Sequence, residues 1–423
     1  MLWFENLPRQ HRRPPPLPTM TQPTSYSPAD TAYPSLEAAE CPYPILEKLR
    51  SEAPIYQVPG TDEFLVTRFD DVVAILRDNH VFSNALARGD RGKSQDSEVY
   101  ASTIASDPPA HKTKRGLIAR HFSPGRLREY KPVIESITDG LIDEFAADGR
   151  VEFISQFATP LPILIFCELF FGDAREDFDK FRVWATLEGS GIRYLPEERR
   201  AAAEARRSGH SEYLETEILK RWEHPQDDVL SEIISEQVQR DGELNLRYLV
   251  SEAGLLLAGG FVTTAHMIGS AMQLLLESPQ TMADVRNDPK LIPAILDEAL
   301  RIESPVQWQH RVTRIDTEIS GVRIPAGSTV VVVLASGNRD ERQFPEPTRF
   351  APDRQNVKRH VAFGYGAHFC LGAPLGRLEG RIAFERLLSR LDEIRIGPEN
   401  DFKYLESPLF RGLKELHLEF QAS

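Results

Sequence analysis

Cysteine is scarce in this chain. Only Cys41, Cys167 and Cys370 occur among 423 residues. Three scattered cysteines cannot build a disulfide framework, so a reducing compartment fits better and each thiol is read first as a ligand or nucleophile. An excess of positive charge is missing too: 50 Lys and Arg stand against 63 Asp and Glu, a net charge of −13. Nucleic acids and anionic membranes both reward basic surfaces, so neither is expected as a partner. No uninterrupted apolar run reaches the roughly 18 residues that a membrane helix needs. The nearest candidate, Leu255 to Leu276, is interrupted by Thr263, Thr264, His266, Ser270 and Gln273. A targeting signal is absent as well, since Pro8 follows Met1 to Leu7 before any span can form. A cytoplasmic location is the expectation.

What remains is ordinary globular composition, 41% hydrophobic and 27% charged, in a chain long enough to bury a large core around a ligand. Residues 8–34 are rich in proline and uncharged polar residues. Residues 1–39 therefore read as a disordered leader, inside which Met20 is an alternative start. Residues 40–423 read as one integrated domain.

Most of that domain carries apolar residues at helical spacing. Ile55 to Val58 and Phe64 to Val66 flank Pro59-Gly60 and predict a hairpin. Residues 84–106 are polar and predict a loop. Residues 245–277 predict one long helix, apolar all round in its middle and so buried at the centre. Short strands are expected over 317–333, and a last helix from Cys370 to about Leu391. The fold class expected is mainly α with a small β region.

The most informative segment is Phe363-Gly364-Tyr365-Gly366-Ala367-His368-Phe369-Cys370-Leu371-Gly372. Glycines permit tight turns and let a flat ligand approach the backbone closely. A thiolate delivered to a helix N-terminus gains from free N–H groups and the helix dipole, which lower its pKa. The alternative is a buried structural cysteine, common for this residue type.

The segment matches Phe-x-x-Gly-x-(Arg or His)-x-Cys-x-Gly at every fixed position, and so resembles the heme-binding signature of the cytochrome P-450 family. Glu298-Ala299-Leu300-Arg301, ending 69 residues before Cys370, resembles the family's Glu-x-x-Arg motif. Pro347-Thr348-Arg349-Phe350 resembles the stretch that supplies the third member of its structural triad. The resemblance runs from about residue 40 to the C-terminus. It implies heme b buried between the long central helix and the cysteine loop, with Cys370 as axial ligand and Phe363, Gly364, His368 and Gly372 in the loop that holds it. His111, Arg115, Arg311 and His368 fall at the family's propionate-binding positions. The triad Glu298, Arg301 and Arg349 is implied to support the core.

On the central helix, aligning Thr263-Thr264 with the family's Thr-Thr pair puts Gly260 on the family glycine and Gly259 beside the cofactor. Thr263 falls on the threonine that organises catalytic water. Val262 stands where the family has an acid, so protons are expected through solvent or from another segment. The implied pocket includes Phe261, Val262, Val306, Trp308 and Phe410, with the loop 84–104. Bulky Trp308 and Phe261 there predict a compact substrate.

The activity implied is insertion of one oxygen atom of O2 into a small, mostly apolar organic substrate by hydroxylation or oxidative dealkylation. Electrons are expected from a separate ferredoxin and its reductase. Residues 107–131 hold seven Lys or Arg against two acids, and Lys112 and Lys114 there are candidate docking residues for an acidic ferredoxin. Peroxide-using or non-oxidative heme-thiolate chemistry, and a heme sensor without turnover, are the alternatives.

Overall fold

The computed structural model describes residues 33–88, 101–172, 177–184 and 193–422; most of the 1–39 leader and of the 84–104 loop lies outside them. Tyr33 and Ala38 are buried against the first helix and the sheet, so packed chain begins before residue 40.

Helix termini follow their capping residues. Ser123 accepts the Arg126 N–H ahead of the Pro124–Phe145 helix, with Pro124 in its first turn. Asp228 likewise caps Val229–Asp241, which stops on Gly242 at φ 84°. The predicted hairpin forms with Ile55 opposite Val66. It is the edge of a five-stranded sheet ordered Ile55–Gln57, Glu63–Val66, Thr329–Val332, Gln309–Thr313 and Phe82–Ser83, in which only Glu63–Val66 and Thr329–Val332 run parallel. Residues 317–324 form a separate hairpin.

The central stretch is two helices rather than one, Leu246–Gly260 and Val262–Leu276, meeting at Phe261. Two consecutive glycines weaken the helix there, and the Phe261 ring turns into the core against Phe166 at 5.7 Å. The Thr263 and Thr264 hydroxyls bridge the break by donating to the Gly259 and Gly260 carbonyls at 3.2 and 3.3 Å. Ile154–Phe171 and Leu246–Leu276 are long and apolar enough to cross a membrane by length and composition, contrary to the sequence reading. In each, 61% of the most apolar 18 residues is buried in the fold, as in core helices. The last helix spans Ala373–Arg390 with Pro374 near its start; Cys370 precedes it by one turn.

Glu298 and Arg301 are fully buried, their bidentate pair closed at 2.7 and 2.8 Å. Arg301 also donates to the carbonyls of Asn338 and Pro347. The third partner corrects the sequence reading. Arg349 points its guanidinium outward to Glu346, both largely exposed, and gives the network only its carbonyl. Arg354 donates to Glu298 Oε1 at 3.3 Å instead. The motif placed the right strip of chain, but the turn through residues 346–354 presents a different arginine.

Removing one member of this network strands buried charge. Glu298→Ala, Arg301→Ala and Arg354→Ala are each expected to lose about 3–5 kcal/mol in urea unfolding, whereas Arg349→Ala should stay within about 0.5 kcal/mol. A large loss in Arg349→Ala would return it to the network.

Candidate active site

A cavity of about 290 Å³ opens between the central helices and the cysteine loop. The loop is shaped by its glycines and its hydrogen bonds. Gly364 and Gly366 have φ of 70° and 71°, and a Cβ on Gly366 would lie 2.5 Å from the Leu76 carbonyl oxygen. Only glycine fits there, so the loop lies directly on the Phe69–Arg77 helix. The Cys370 N–H donates to the Phe363 carbonyl at 2.8 Å, which closes the loop and turns the thiol toward the cavity, whose wall it joins.

Burial raises the Cys370 pKa above its ordinary value. The N–H groups of Gly372 and Ala373, with Arg115 and Arg377, oppose that rise. The expected stabilising groups are present, and burial outweighs them in the thiol form.

His111, Arg115, His368, Phe363 and Gly372 line the same cavity. The His111 and His368 rings are 4.2 Å apart, and Arg115 donates to the Phe369 carbonyl at 2.8 Å. Burial and the Arg115 charge lower the His111 pKa, and its buried Nε2 has no hydrogen-bond partner among the described residues. Arg311 stands behind the wall, donating to Asn84 Oδ1 at 3.0 Å and to Gln309 Oε1 at 3.3 Å. Asn84 Nδ2 lies 3.4 Å from His368 Nδ1, so Arg311 joins the cationic side of the site through Asn84. Gly364 shapes the loop without lining the cavity.

Of the predicted pocket residues, Val306 lines the cavity, as do Thr263, Gly259 and Gly260. Four others do not. Trp308 is fully buried, donates to the Pro408 carbonyl at 2.7 Å and packs on Tyr194. Phe261 is buried on Phe166. Val262 packs against the helical core, and Phe410 pairs through its backbone with Val306. Large aromatics found burial against protein rather than ligand, so the reason for a compact substrate disappears. Ile104, Ile165, Phe166, Leu255, Leu256 and Pro305 are among the residues of its apolar wall.

Two acids in the wall escaped the sequence reading. Glu252 is buried and accepts from the Thr103 N–H and hydroxyl at 2.7 and 3.0 Å. Its spacing from Gly259 and Thr263 puts it on their helix face, which was a legible signal. Glu379 is buried with no hydrogen-bond partner at Oε2, and burial alone pushes its pKa well up. Gly376, one turn earlier, lies so close to Thr264 that a Cβ would sit 3.4 Å from its hydroxyl. Lys114 is no docking residue: it is buried, donating to Ala101 O and Ser106 Oγ at 2.7 and 3.0 Å.

A chain that sets a cysteine loop across a cavity from a broken central helix, with a cationic edge between them, is matched by known proteins. Residues 155–403 match the family model for cytochrome P450. Cytochrome P450 107B1 of Saccharopolyspora erythraea is 36% identical over 86% of this chain and 90% of its own. The 6-deoxyerythronolide B hydroxylase of the same organism is 35% identical over 87% and 93%. A Bacillus megaterium P450 crystallised with testosterone superposes with TM-score 0.82 at 28% identity, covering 91% of this chain and 99% of that one. This chain belongs to the cytochrome P450 family, and the activity that follows is that of a P450 monooxygenase with a heme-thiolate cofactor.

Proposed function

We propose that this protein holds heme b through Cys370 Sγ and hydroxylates an apolar organic substrate in the cytoplasm, with electrons from a ferredoxin-type donor. The observation that carries the reading is the Cys370 thiol turned into a cavity that His111, Arg115 and His368 edge with cationic or hydrogen-bonding groups. Those residues fit the cofactor: the unpartnered Nε2 of His111 and the Arg115 guanidinium are donors for two propionates. When bound, heme supplies activation of dioxygen, favoured by thiolate ligation.

The chain's own residues do the rest. The N–H groups of Gly372 and Ala373 and the charges of Arg115 and Arg377 stabilise the ligating thiolate. Ile104, Leu255, Leu256 and Val306 exclude water and hold the substrate by apolar contact. Thr263 positions water above the break in the central helix. Val262 relays no proton; Glu379, whose pKa burial raises, stands one helical turn from the Gly376 and Thr264 contact and is the acid from another segment.

The groove beside Pro374 is edged by Arg128, Lys131, Arg377 and Arg381, four cations next to the cysteine loop. An acidic donor docks there. Arg128→Glu should slow reduction by an acidic ferredoxin at low salt by about tenfold, measured by stopped-flow; an unchanged rate removes this face.

Cys370→Ser should lose the long-wavelength band of the ferrous carbon monoxide complex that thiolate ligation gives. A retained band would assign the ligand elsewhere. Thr263→Ala should consume NADPH at a wild-type rate while diverting most of it to hydrogen peroxide. Product formed per NADPH decides this, and wild-type coupling would exclude Thr263 as the water-positioning group.

A further inference from the structure

A second group of donor side chains lies away from the cavity. His121 occupies the short turn Arg120–Phe122 that joins the helices Ala110–Ala119 and Pro124–Phe145. Its side chain is 1% exposed. It faces Glu232 and Glu236, one turn apart on Val229–Asp241. His121 Nδ1 is 3.4 Å from Glu232 Oε2, and Nε2 is 3.8 Å from Glu236 Oε1. Neither ring nitrogen has a hydrogen-bond partner among the described residues. Burying an imidazole with both nitrogens unsatisfied is unfavourable, so the side chain points to a ligand that completes it.

One donor atom from each of the three residues lies within 4.8 Å of the other two. Two guanidiniums border the group. Arg120 contacts Glu236 closely and Glu232 at 3.7 Å, while Arg126 donates to Glu232 at 2.7 Å. The Arg120 side chain is 54% exposed and is free to withdraw into water. Arg126 keeps Glu129 as a second partner at 3.1 Å.

We propose that His121, Glu232 and Glu236 form a divalent-cation site of the zinc class, for which the Arg120 guanidinium is the competitor. One imidazole and two carboxylates, with a water in the fourth position, make a tetrahedral nitrogen and oxygen set that zinc accepts. Magnesium and calcium prefer more ligands, all oxygen. A bound cation would fasten the turn between two helices to the Val229–Asp241 helix. Phe122, next in the chain, lines the heme cavity, so the fastening reaches the active-site wall.

The test uses the heme-loaded full chain with zinc chloride, read by calorimetry and by thermal unfolding. One zinc per chain should bind with a Kd of about 1–10 µM, and Tm should rise by about 2–4 °C at about 100 µM zinc. Glu232→Gln and Glu236→Gln, both at partly exposed positions, should each weaken binding by about tenfold or more. Arg120→Ala should tighten it by about tenfold, which a purely ionic clamp between the helices would not do. If His121→Asn folds, it should abolish binding; if it does not fold, the glutamine variants and Arg120→Ala decide. Absence of zinc binding below about 1 mM, or equal binding in the glutamine variants, overturns the site. An equal response to magnesium chloride overturns the zinc class.

Discussion

The carboxylate of Glu298 is the constraint from which the site is built. It is buried without water contact and is answered by Arg301, by Arg354 and by the Ala351 N–H at 3.0 Å. Each link then fixes the next. Arg301 donates to the Asn338 carbonyl at 2.9 Å, and Asn338 Oδ1 accepts the Val361 N–H at 2.7 Å. The Val361 carbonyl accepts from Gly364, and the Phe363 carbonyl accepts from Cys370, both at 2.8 Å. An ion pair on one helix therefore determines where a sulfur atom stands some seventy residues later. A buried pair of this kind adds little net stability over apolar packing. Its value here is positional, because directional hydrogen bonds fix a backbone path that apolar contacts alone leave free to shift.

The cavity owes its shape to small residues where helices meet. A Cβ on Gly380 would lie 2.7 Å from Met267 and 3.0 Å from Leu296, and one on Gly260 would lie 3.2 Å from Phe166. These glycines let the Ala373–Arg390 helix and the Pro160–Phe171 helix approach the central pair closely. Gly259, by contrast, meets nothing within 4 Å, so the same dipeptide gives one face to packing and the other to open space. Breaking the helix at Phe261 is the local result, and the threonine hydroxyls that follow hold the broken ends in register.

Sequence reasoning reached what local chemistry determines. The Pro59-Gly60 hairpin and the glycine-rich loop around Cys370 are readable, because turn chemistry and backbone freedom belong to a few adjacent residues. Long-range choices were less legible. Nothing local distinguishes Arg349 from Arg354 as the partner of Glu298; the turn between them does, through tertiary contacts. Trp308 and Phe261 are equally suited to a pocket or a core by composition, and cross-chain packing on Tyr194 and Phe166 decided for the core. Lys114 looked like a surface charge beside Lys112, yet its helix face points inward. Glu252 was the recoverable miss, since an acid on the face shared by Gly259 and Thr263 is visible from spacing alone.

Two of the buried polar atoms left without a partner stand at the cavity. Elsewhere, Asp228 is answered by Arg221 at 2.7 Å and Glu303 by Arg339 and Arg411. At the cavity, His111 Nε2 and Glu379 Oε2 have no partner, and the neighbouring loop uses two left-handed glycines. Folding alone does not favour such features, and a protein keeps them where another demand overrides stability. The two orphan atoms differ in kind. The His111 nitrogen is a donor or acceptor at the cationic edge, without a partner among the described residues. The Glu379 oxygen belongs to an acid whose pKa burial raises, near helices whose expected acid position is occupied by Val262. A carboxylic acid with a raised pKa is better matched to proton transfer than one with an ordinary value, because a catalytic acid works best with its pKa near the working pH. On the function proposed for this site, the missing acid at Val262 and the surplus acid at Glu379 would be two sides of one arrangement.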